Sequence, residues 1–291
     1  MGHPGVTWPT CPWLSYKGYY LMRVLLDNGI FVHAEFAKWD KKPTALRHSN
    51  GDVVAVHGLV RKEPHQDAEY QRQVEALFTV GRLIREGRIS AYDYSEIDCE
   101  GARAGTRVQE FNALLGCAID ACPPALERSR FRMTTNLRDW FAKGGKEDRK
   151  RGAQLGWANQ IAFFEWLCRL DEKAVPLLIQ HASEIRLTDF EIENFKNIHW
   201  FQFLCQRSQS PENYPDVFHL WTPERNTLDA VLTLEKRFVN FVRGVRKEKK
   251  KRIEIRTEVL RPLELLQRFH IAEPDPVPME LGRFYYLHEA T

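Results

Sequence analysis

The sequence predicts an α/β fold with a mostly parallel central sheet, and three observations lead to this prediction. With 291 residues, of which 43% are hydrophobic and 28% are charged, the chain can bury a substantial core. Short apolar runs alternate with helical patterns at both ends of the chain, which favours strands joined through helices. The runs at 22–26 and 230–232 are almost continuously apolar, as expected for strands covered by helices on both faces.

Local patterns predict the elements of the first hundred residues. The first strand ends in an acid, Asp27, and residues 30–39 are then predicted as a helix. One amphipathic helix is predicted at 67–87, because its apolar positions recur at helical spacing and Gly87 suits its C-terminal cap. A second apolar strand follows at 89–94.

The rest of the chain is predicted to be rich in helices. Residues 101–200 have helical patterns with aromatic side chains, which are more typical of a core than of a binding surface. The closing part has a regular rhythm of helix 216–226, strand 229–233, helix 235–242, edge strand 253–259 and helix 262–269.

The composition argues against a secreted or membrane protein. The first twenty residues contain three prolines and no apolar run, so no secretory signal is expected. Apolar stretches are too short to span a bilayer. The six cysteines form no CxxC pair, which favours buried, reduced thiols over a zinc site. We therefore expect a soluble cytoplasmic protein with no membrane partner.

Acidic residues stand at the ends of predicted strands. In a parallel α/β fold the active site lies at the carboxyl ends of the strands, where Asp27 and Glu235 are expected. Two divalent ions held by carboxylates can activate hydroxide and stabilise the leaving oxygen in phosphodiester hydrolysis. An acid at a helix start can equally be a cap, so both interpretations stay open for Asp27 and Asp216. Candidates for a metal site are Asp27, Glu100, Asp216 and Glu235.

Four segments resemble, in the correct order, the parts of a PIN domain. They are RVLLDN at 23–28, GRISAYDYSEIDCE at 87–100, DVFHLWTPERNTLDAVLTLEKRF at 216–238 and TEVLRPLELLQ at 257–267. They resemble the first strand with its acid, the second strand with the acidic helix, the closing half with its Thr-x-Asp motif, and the last strand and helix. The resemblance covers about half of the chain and implies a three-layer PIN-like fold and a metal-dependent ribonuclease.

The resemblance implies roles for individual residues. The catalytic, metal-binding carboxylates would be Asp27, Glu100, Asp216 and Glu235, with Mg²⁺ or Mn²⁺ as the cofactor. Glu235 stands where the family usually has Asp, and its extra methylene moves the carboxylate outward. Asn28 and Thr233 would orient the acids or water through hydrogen bonds, and Asp98 competes with Glu100 from half a helical turn away.

The same resemblance divides the chain into parts. They are an N-terminal extension at 1–21, the first PIN-like part at 22–100, a helical insertion at 101–190, the second PIN-like part at 191–272 and a loosely held C-terminal tail at 273–291. Residues 41–65 form a candidate second insertion. The sequence assigns no function to either insertion.

A basic run follows the helix after Glu235. It consists of Arg243, Arg246, Lys247, Lys249, Lys250, Lys251 and Arg252. Alone, such a run is typical of a solvated loop, but beside the acidic motif it is predicted to guide nucleic-acid phosphates. His219, one turn after Asp216, could reach the site, yet local packing is the favoured interpretation of both His219 and His33.

Three functions stay open at this stage. The first is an endoribonuclease that cuts exposed RNA, with a toxin-like or defence role and an antitoxin or other protein partner among its alternatives. The second is a PIN-like scaffold that binds RNA or protein without cutting, and the third is a structure-selective DNA nuclease. The sequence also leaves a homo-oligomer open.

Overall fold

The computed structural model describes residues 21–47, 51, 53–104, 112–131, 146–248 and 254–286. In chain order its strands are β1 (Met22–Leu26), β2 (Ala37–Arg47), β3 (Val53–Arg61), β4 (Ile89–Asp93), β5 (Ile119–Ala121), β6 (Ala230–Leu232), β7 (Glu258–Leu260) and β8 (Phe284–Tyr286). The helices are α1 (Asn28–His33), α2 (Ala68–Glu75), α3 (Leu77–Arg85), α4 (Ser95–Ala104), α5 (Lys146–Arg169), α6 (Ala174–Gln180), α7 (Asp189–Lys196), α8 (Ile198–Cys205), α9 (Tyr214–Arg225), α10 (Lys236–Lys247) and α11 (Pro262–Arg268).

Five strands form a parallel central sheet in the order β5-β4-β1-β6-β7. In the middle strand, β1, the side chains of Val24, Leu25 and Leu26 are fully buried. Alternate side chains of a strand point to opposite faces, so Leu25 joins the core on one face while Val24 and Leu26 join the core on the other. The predicted α/β fold with a parallel sheet is confirmed.

Helices cover both faces of the central sheet and give the molecule three layers. Leu77 and Val80 of α3 and Leu265 of α11 pack in the core that contains Leu26. On the other face, α5, α8, α9 and α10 build an aromatic core with Leu25. This second layer holds α9 in place, because the Phe218 ring lies 4.8 Å from that of Phe164.

Two predicted helices differ from the structure. The helix predicted at 30–39 is wrong beyond His33, because residues from Ala37 onward pair with β3 as an antiparallel hairpin. The single helix predicted at 67–87 is two helices, α2 and α3. Gly87 does follow the second of them with a positive φ of 69°, in agreement with its predicted capping role.

The closing residues are not a loosely held tail up to Tyr286. β8 pairs with β3 and completes a second sheet in the order β2-β3-β8. Asp275 accepts a hydrogen bond from Arg82 Nε at 2.7 Å. These contacts attach the C-terminal segment to the hairpin and to α3, so the sequence-based description of 273–291 is corrected for its described residues.

The predicted helical insertion at 101–190 also contains a strand. β5 at Ile119–Ala121 belongs to the central sheet and pairs with β4. The described helices of this part run from α5 through α8. Phe163 and Phe164 of α5 lie in the core and Trp166 packs against it, as predicted, whereas Trp157 is exposed. Among the residues that the structure describes, no helix combines the length and apolar character needed to cross a membrane.

Candidate metal centre

The structure brings the four predicted acids to one edge of the central sheet. Asp27 directly follows β1, and its backbone N–H donates to Leu232 O at 3.0 Å, which holds it beside the end of β6. Glu235 stands two residues beyond Thr233 and begins α10. Asp216 lies in the first turn of α9. The last turn of α9 leads into the start of β6, so the first turn of α9 lies at the opposite, carboxyl edge of the sheet. Glu100 reaches the same place from α4.

The carboxylates at the helix starts do not act as caps. Asp27 and Glu235 occupy the N-cap positions of α1 and α10, yet neither side chain makes a capping hydrogen bond. Asp27 Oδ2 instead accepts a hydrogen bond from Thr233 Oγ1 at 2.7 Å. Thr233 is completely buried, and its hydroxyl oxygen also accepts from the Glu235 backbone N–H at 3.1 Å. One threonine thus fixes the relative position of two of the acids.

His219 is the residue that the sequence analysis did not include in the metal site. It is buried, and its Nε2 lies 3.2 Å from Glu100 Oε1, while its Nδ1 lies 2.6 Å from the Tyr94 hydroxyl. Glu100 Oε1 also accepts a hydrogen bond from Gln160 Nε2 at 3.0 Å. A signal was present in the sequence, since residues three apart on a helix share one face and Asp216 precedes His219 by three.

Three of these side chains could share one cation. A carboxylate oxygen of Asp27, a carboxylate oxygen of Glu100 and a ring nitrogen of His219 all lie within 4.8 Å of one another. Oxygens of this kind suit Mg²⁺ or Mn²⁺, and an imidazole nitrogen is a common ligand of transition metals. Asp216 and Glu235 both interact electrostatically with Asp27 and Glu100 and so border the same position.

Burial and mutual repulsion both raise the pKa values of the acids. Burial raises the pKa of Asp216 to about 8, with further upward effects from Glu235, Asp27 and Glu100. Burial and the charge on Glu100 also raise the pKa of Asp27, against the opposing effects of His219 and Thr233. At the exposed rim, the pKa of Glu235 is raised by partial burial and then by Asp27. A bound cation would relieve this repulsion.

His219 carries positive charge that partly balances the acids. Burial alone would lower the pKa of its imidazole, but the charges of Glu100, Asp27 and Asp216 raise it to about 9. The protonated ring therefore substitutes for a cation when no metal is bound. A histidine nitrogen ligates a metal only in its unprotonated form, so metal binding at this nitrogen would release a proton.

Of the other predicted supporting residues, Asn28 lies beside Asp27, whereas Asp98 lies at the surface. Asn28 begins α1, and its backbone N–H lowers the pKa of Asp27. Asp98 is exposed and stands near Asp93, whose pKa rises to about 6 through burial and then through the charge on Asp98. Asp98, half a helical turn from Glu100, therefore lies outside the acidic cluster.

The described part of the basic run lies away from the carboxylates. α10 starts at the site and has twelve residues, so its last turn lies about 16 Å farther along the helix axis. There Arg243 pairs with Glu264 at 2.8 Å, and the Arg246 guanidinium donates to Thr257 O at 2.7 Å. Arg246 is thus engaged inside the fold, which corrects its predicted role, while Lys247 is exposed. Lys249, Lys250, Lys251 and Arg252 lie outside the described residues.

Comparison of the chain with protein-family models, with curated proteins and with solved structures found no match.

Proposed function

We propose that this protein is a divalent-metal-dependent nuclease of the PIN-like type that cleaves RNA. The observation that supports it best is the convergence of Asp27, Glu100, Asp216 and Glu235 with His219 at the carboxyl edge of a parallel sheet. Buried acids that repel one another lower the stability of the fold. Their presence together therefore points to a function, or to a bound cation that offsets the repulsion. Acids gathered around a cation are the arrangement that phosphodiester hydrolysis needs.

The residues present fit Mg²⁺ or Mn²⁺. Asp27 and Glu100 would ligate the ion through oxygen, and His219 would offer a nitrogen, which Mn²⁺ accepts more readily than the harder Mg²⁺. When bound, the ion supplies an activated water and stabilises charge on the phosphate. Asp216 and Glu235 border the ion and can orient the water or hold a second ion.

Neighbouring side chains position the ligands. Thr233 holds the Asp27 carboxylate at 2.7 Å, and Gln160 holds that of Glu100 at 3.0 Å. The Tyr94 hydroxyl contacts His219 Nδ1 at 2.6 Å and directs Nε2 toward the acids. Such outer partners fix ligand orientation before the metal arrives, and their loss commonly lowers metal affinity or activity by about 10- to 100-fold.

The decisive experiment compares wild type with Asp27→Asn and Asp98→Asn. Labelled single-stranded RNA and DNA are incubated with Mg²⁺, Mn²⁺ or EDTA, and metal binding is measured separately by calorimetry. We expect metal-dependent RNA cleavage that falls about 100-fold or more in Asp27→Asn. Asp98→Asn is the matched control, because this exposed acid shares α4 with Glu100 but faces elsewhere, and it should cleave like wild type.

Other results would redirect the assignment. RNA bound but never cut, with any metal, would favour the scaffold, for which the exposed glutamate at 235 is the supporting observation. Cleavage confined to DNA would favour a DNA nuclease. Equal loss of activity in both variants, or unfolding of Asp27→Asn by circular dichroism, would remove the support for this site.

A further inference from the structure

A row of three aromatic rings stands beside the metal centre. His33 ends α1, His65 precedes α2, and Tyr70 lies in the first turn of α2. The Tyr70 ring lies 5.5 Å from that of His33 and 4.7 Å from that of His65, measured between centroids. Both histidines are exposed and Tyr70 is half-buried, so these rings border solvent. We call these three residues the aromatic wall.

Hydrogen bonds attach the His65 end of the aromatic wall to α2. His65 Nδ1 accepts a hydrogen bond from the Asp67 backbone N–H at 3.0 Å. The His65 backbone N–H donates to Gln71 Oε1 at 2.8 Å. Burial and then the neighbouring His65 and Lys62 lower the pKa of His33. Aromatic rings that border solvent offer π faces on which nucleotide bases stack.

The aromatic wall adjoins the acids and two free cations. Glu69, which precedes Tyr70 in the first turn of α2, forms an ion pair with Arg261. Arg261 directly follows β7, so this turn lies at the carboxyl edge of the sheet, as the acids do. Burial raises the pKa of Tyr70, the charge on Arg261 opposes the rise and the charge on Glu235 adds to it. Within the described residues the Tyr70 hydroxyl has no hydrogen-bond partner. Lys236 and Arg237 directly follow Glu235, are exposed and have no ion-pair partner in the described part of the chain.

We infer that the aromatic wall binds the bases of single-stranded RNA next to the phosphate that the metal centre would cut, while Lys236 and Arg237 contact the backbone phosphates. The inference rests on the proposed nuclease function for the position of the cut, but not for the binding itself. A single strand exposes its base faces, whereas a duplex keeps them stacked inside. The site would therefore select unpaired RNA.

Binding without cleavage tests this inference. Fluorescence anisotropy is measured with the full chain carrying Asp27→Asn, on a labelled RNA of about twelve nucleotides, an abasic strand of equal length and an RNA hairpin. Tyr70→Leu should weaken binding of the single strand about tenfold and leave binding of the abasic strand unchanged. Tyr70→Phe keeps the ring and should bind normally. Tyr286→Leu, the same loss on an exposed strand of the second sheet, is the matched control.

Two further variants separate stacking from charge. His33→Ala, at an exposed helix end, tests the wall without risk to the core. Lys236→Gln should weaken binding of the abasic and normal strands alike and reduce the salt slope by about one.

The outcomes distinguish this inference from the nuclease assignment. Equal binding by the parent, Tyr70→Leu and His33→Ala, a parent that binds no RNA, or equal loss on the abasic strand overturns the aromatic wall. If wild type cuts RNA and Tyr70→Leu binds normally, the nuclease stands and the wall fails. If wild type never cuts but Tyr70→Leu selectively loses single-stranded RNA, the wall stands and the nuclease fails.

Discussion

Two groups of acids lie inside this molecule, and their surroundings differ sharply. Glu96, Glu191 and Glu224, in the helical layer and at the amino edge of the central sheet, are each more than nine-tenths buried. Glu191 accepts from Arg130 and from the backbone of Glu127, and Glu96 accepts from Arg128 and Gln160. Glu224 accepts from the backbone N–H groups of Arg256 and Thr257 and from the Arg256 side chain.

The acids at the carboxyl edge have far fewer donors. Asp27 accepts one side-chain hydrogen bond, from Thr233, and Asp216 accepts none from the described residues. Their main neighbours are other carboxylates and His219. Burying a charge costs several kcal/mol unless it is paired. The first group is paired within the protein, and we propose that a cation completes the second.

Asp216→Asn gives the largest expected effect. The substitution keeps the shape of the side chain but removes the carboxylate that would act beside a bound cation, so metal-dependent cleavage should fall about 100-fold or more. The pKa of Asp216 is raised to about 8, so the wild-type side chain is largely uncharged at neutral pH without metal, and the melting temperature in EDTA should not decrease. Cleavage assays and thermal melting check this. A variant that cleaves normally, or one that melts well below wild type in EDTA, would place Asp216 with the structural acids.

Glu224→Ala should lower the stability of the fold without lowering cleavage. It leaves one buried and one partly buried backbone N–H group without an acceptor, because Thr257 N and Arg256 N lie 2.8 and 3.0 Å from its carboxylate. We expect the free energy of unfolding to fall by about 3 kcal/mol, with cleavage per folded molecule unchanged. Urea denaturation measures the loss. Glu254→Ala, an exposed acid near Arg256, is the control, and an equal loss there would refute the distinction.

The unpaired acids at the carboxyl edge should also make the stability of the fold depend on pH, and this effect should be smaller than those of the two substitutions. Without metal, the pKa of Asp216 is about 8 in the folded protein against an ordinary 3.8, so the folded state binds more protons between these values. His219, raised from 6.5 to about 9, acts in the same direction over its own range. Stability should therefore decrease as pH rises, by at most about 1.4 kcal/mol per pH unit for each group.

Urea unfolding in EDTA between about pH 5 and pH 8 measures this slope. Asp216→Asn should make it shallower, and saturating Mn²⁺ should reduce or reverse it, because the metal replaces protons at the acids. A metal-free protein whose stability rises over this range would show that the acids are paired inside the fold after all.

The sequence by itself determined the strands β1, β4 and β6 of the central sheet and the edge at which the candidate site lies, but it did not show β5. Strands covered on both faces must be apolar at nearly every position, which made β1 and β6 visible, and the acid that follows β1 then marked the carboxyl edge. The second sheet was not visible in the same way. Of the residues of β2 whose burial is described, only Ala37 is buried, so this strand depends on pairing with β3 rather than on an apolar pattern.

Tertiary structure alone decided which polar residues meet. Glu100 and His219 are 119 residues apart, and Asp27 and Thr233 are 206 apart. The helical spacing that links His219 to Asp216 therefore could not show which other side chains meet this histidine. The direction of α10 likewise carried Arg243 away from the acids despite its nearness in sequence. Local sequence encodes burial and periodicity, but a site made at the meeting of four elements depends on long-range packing, which is settled only when the whole core forms.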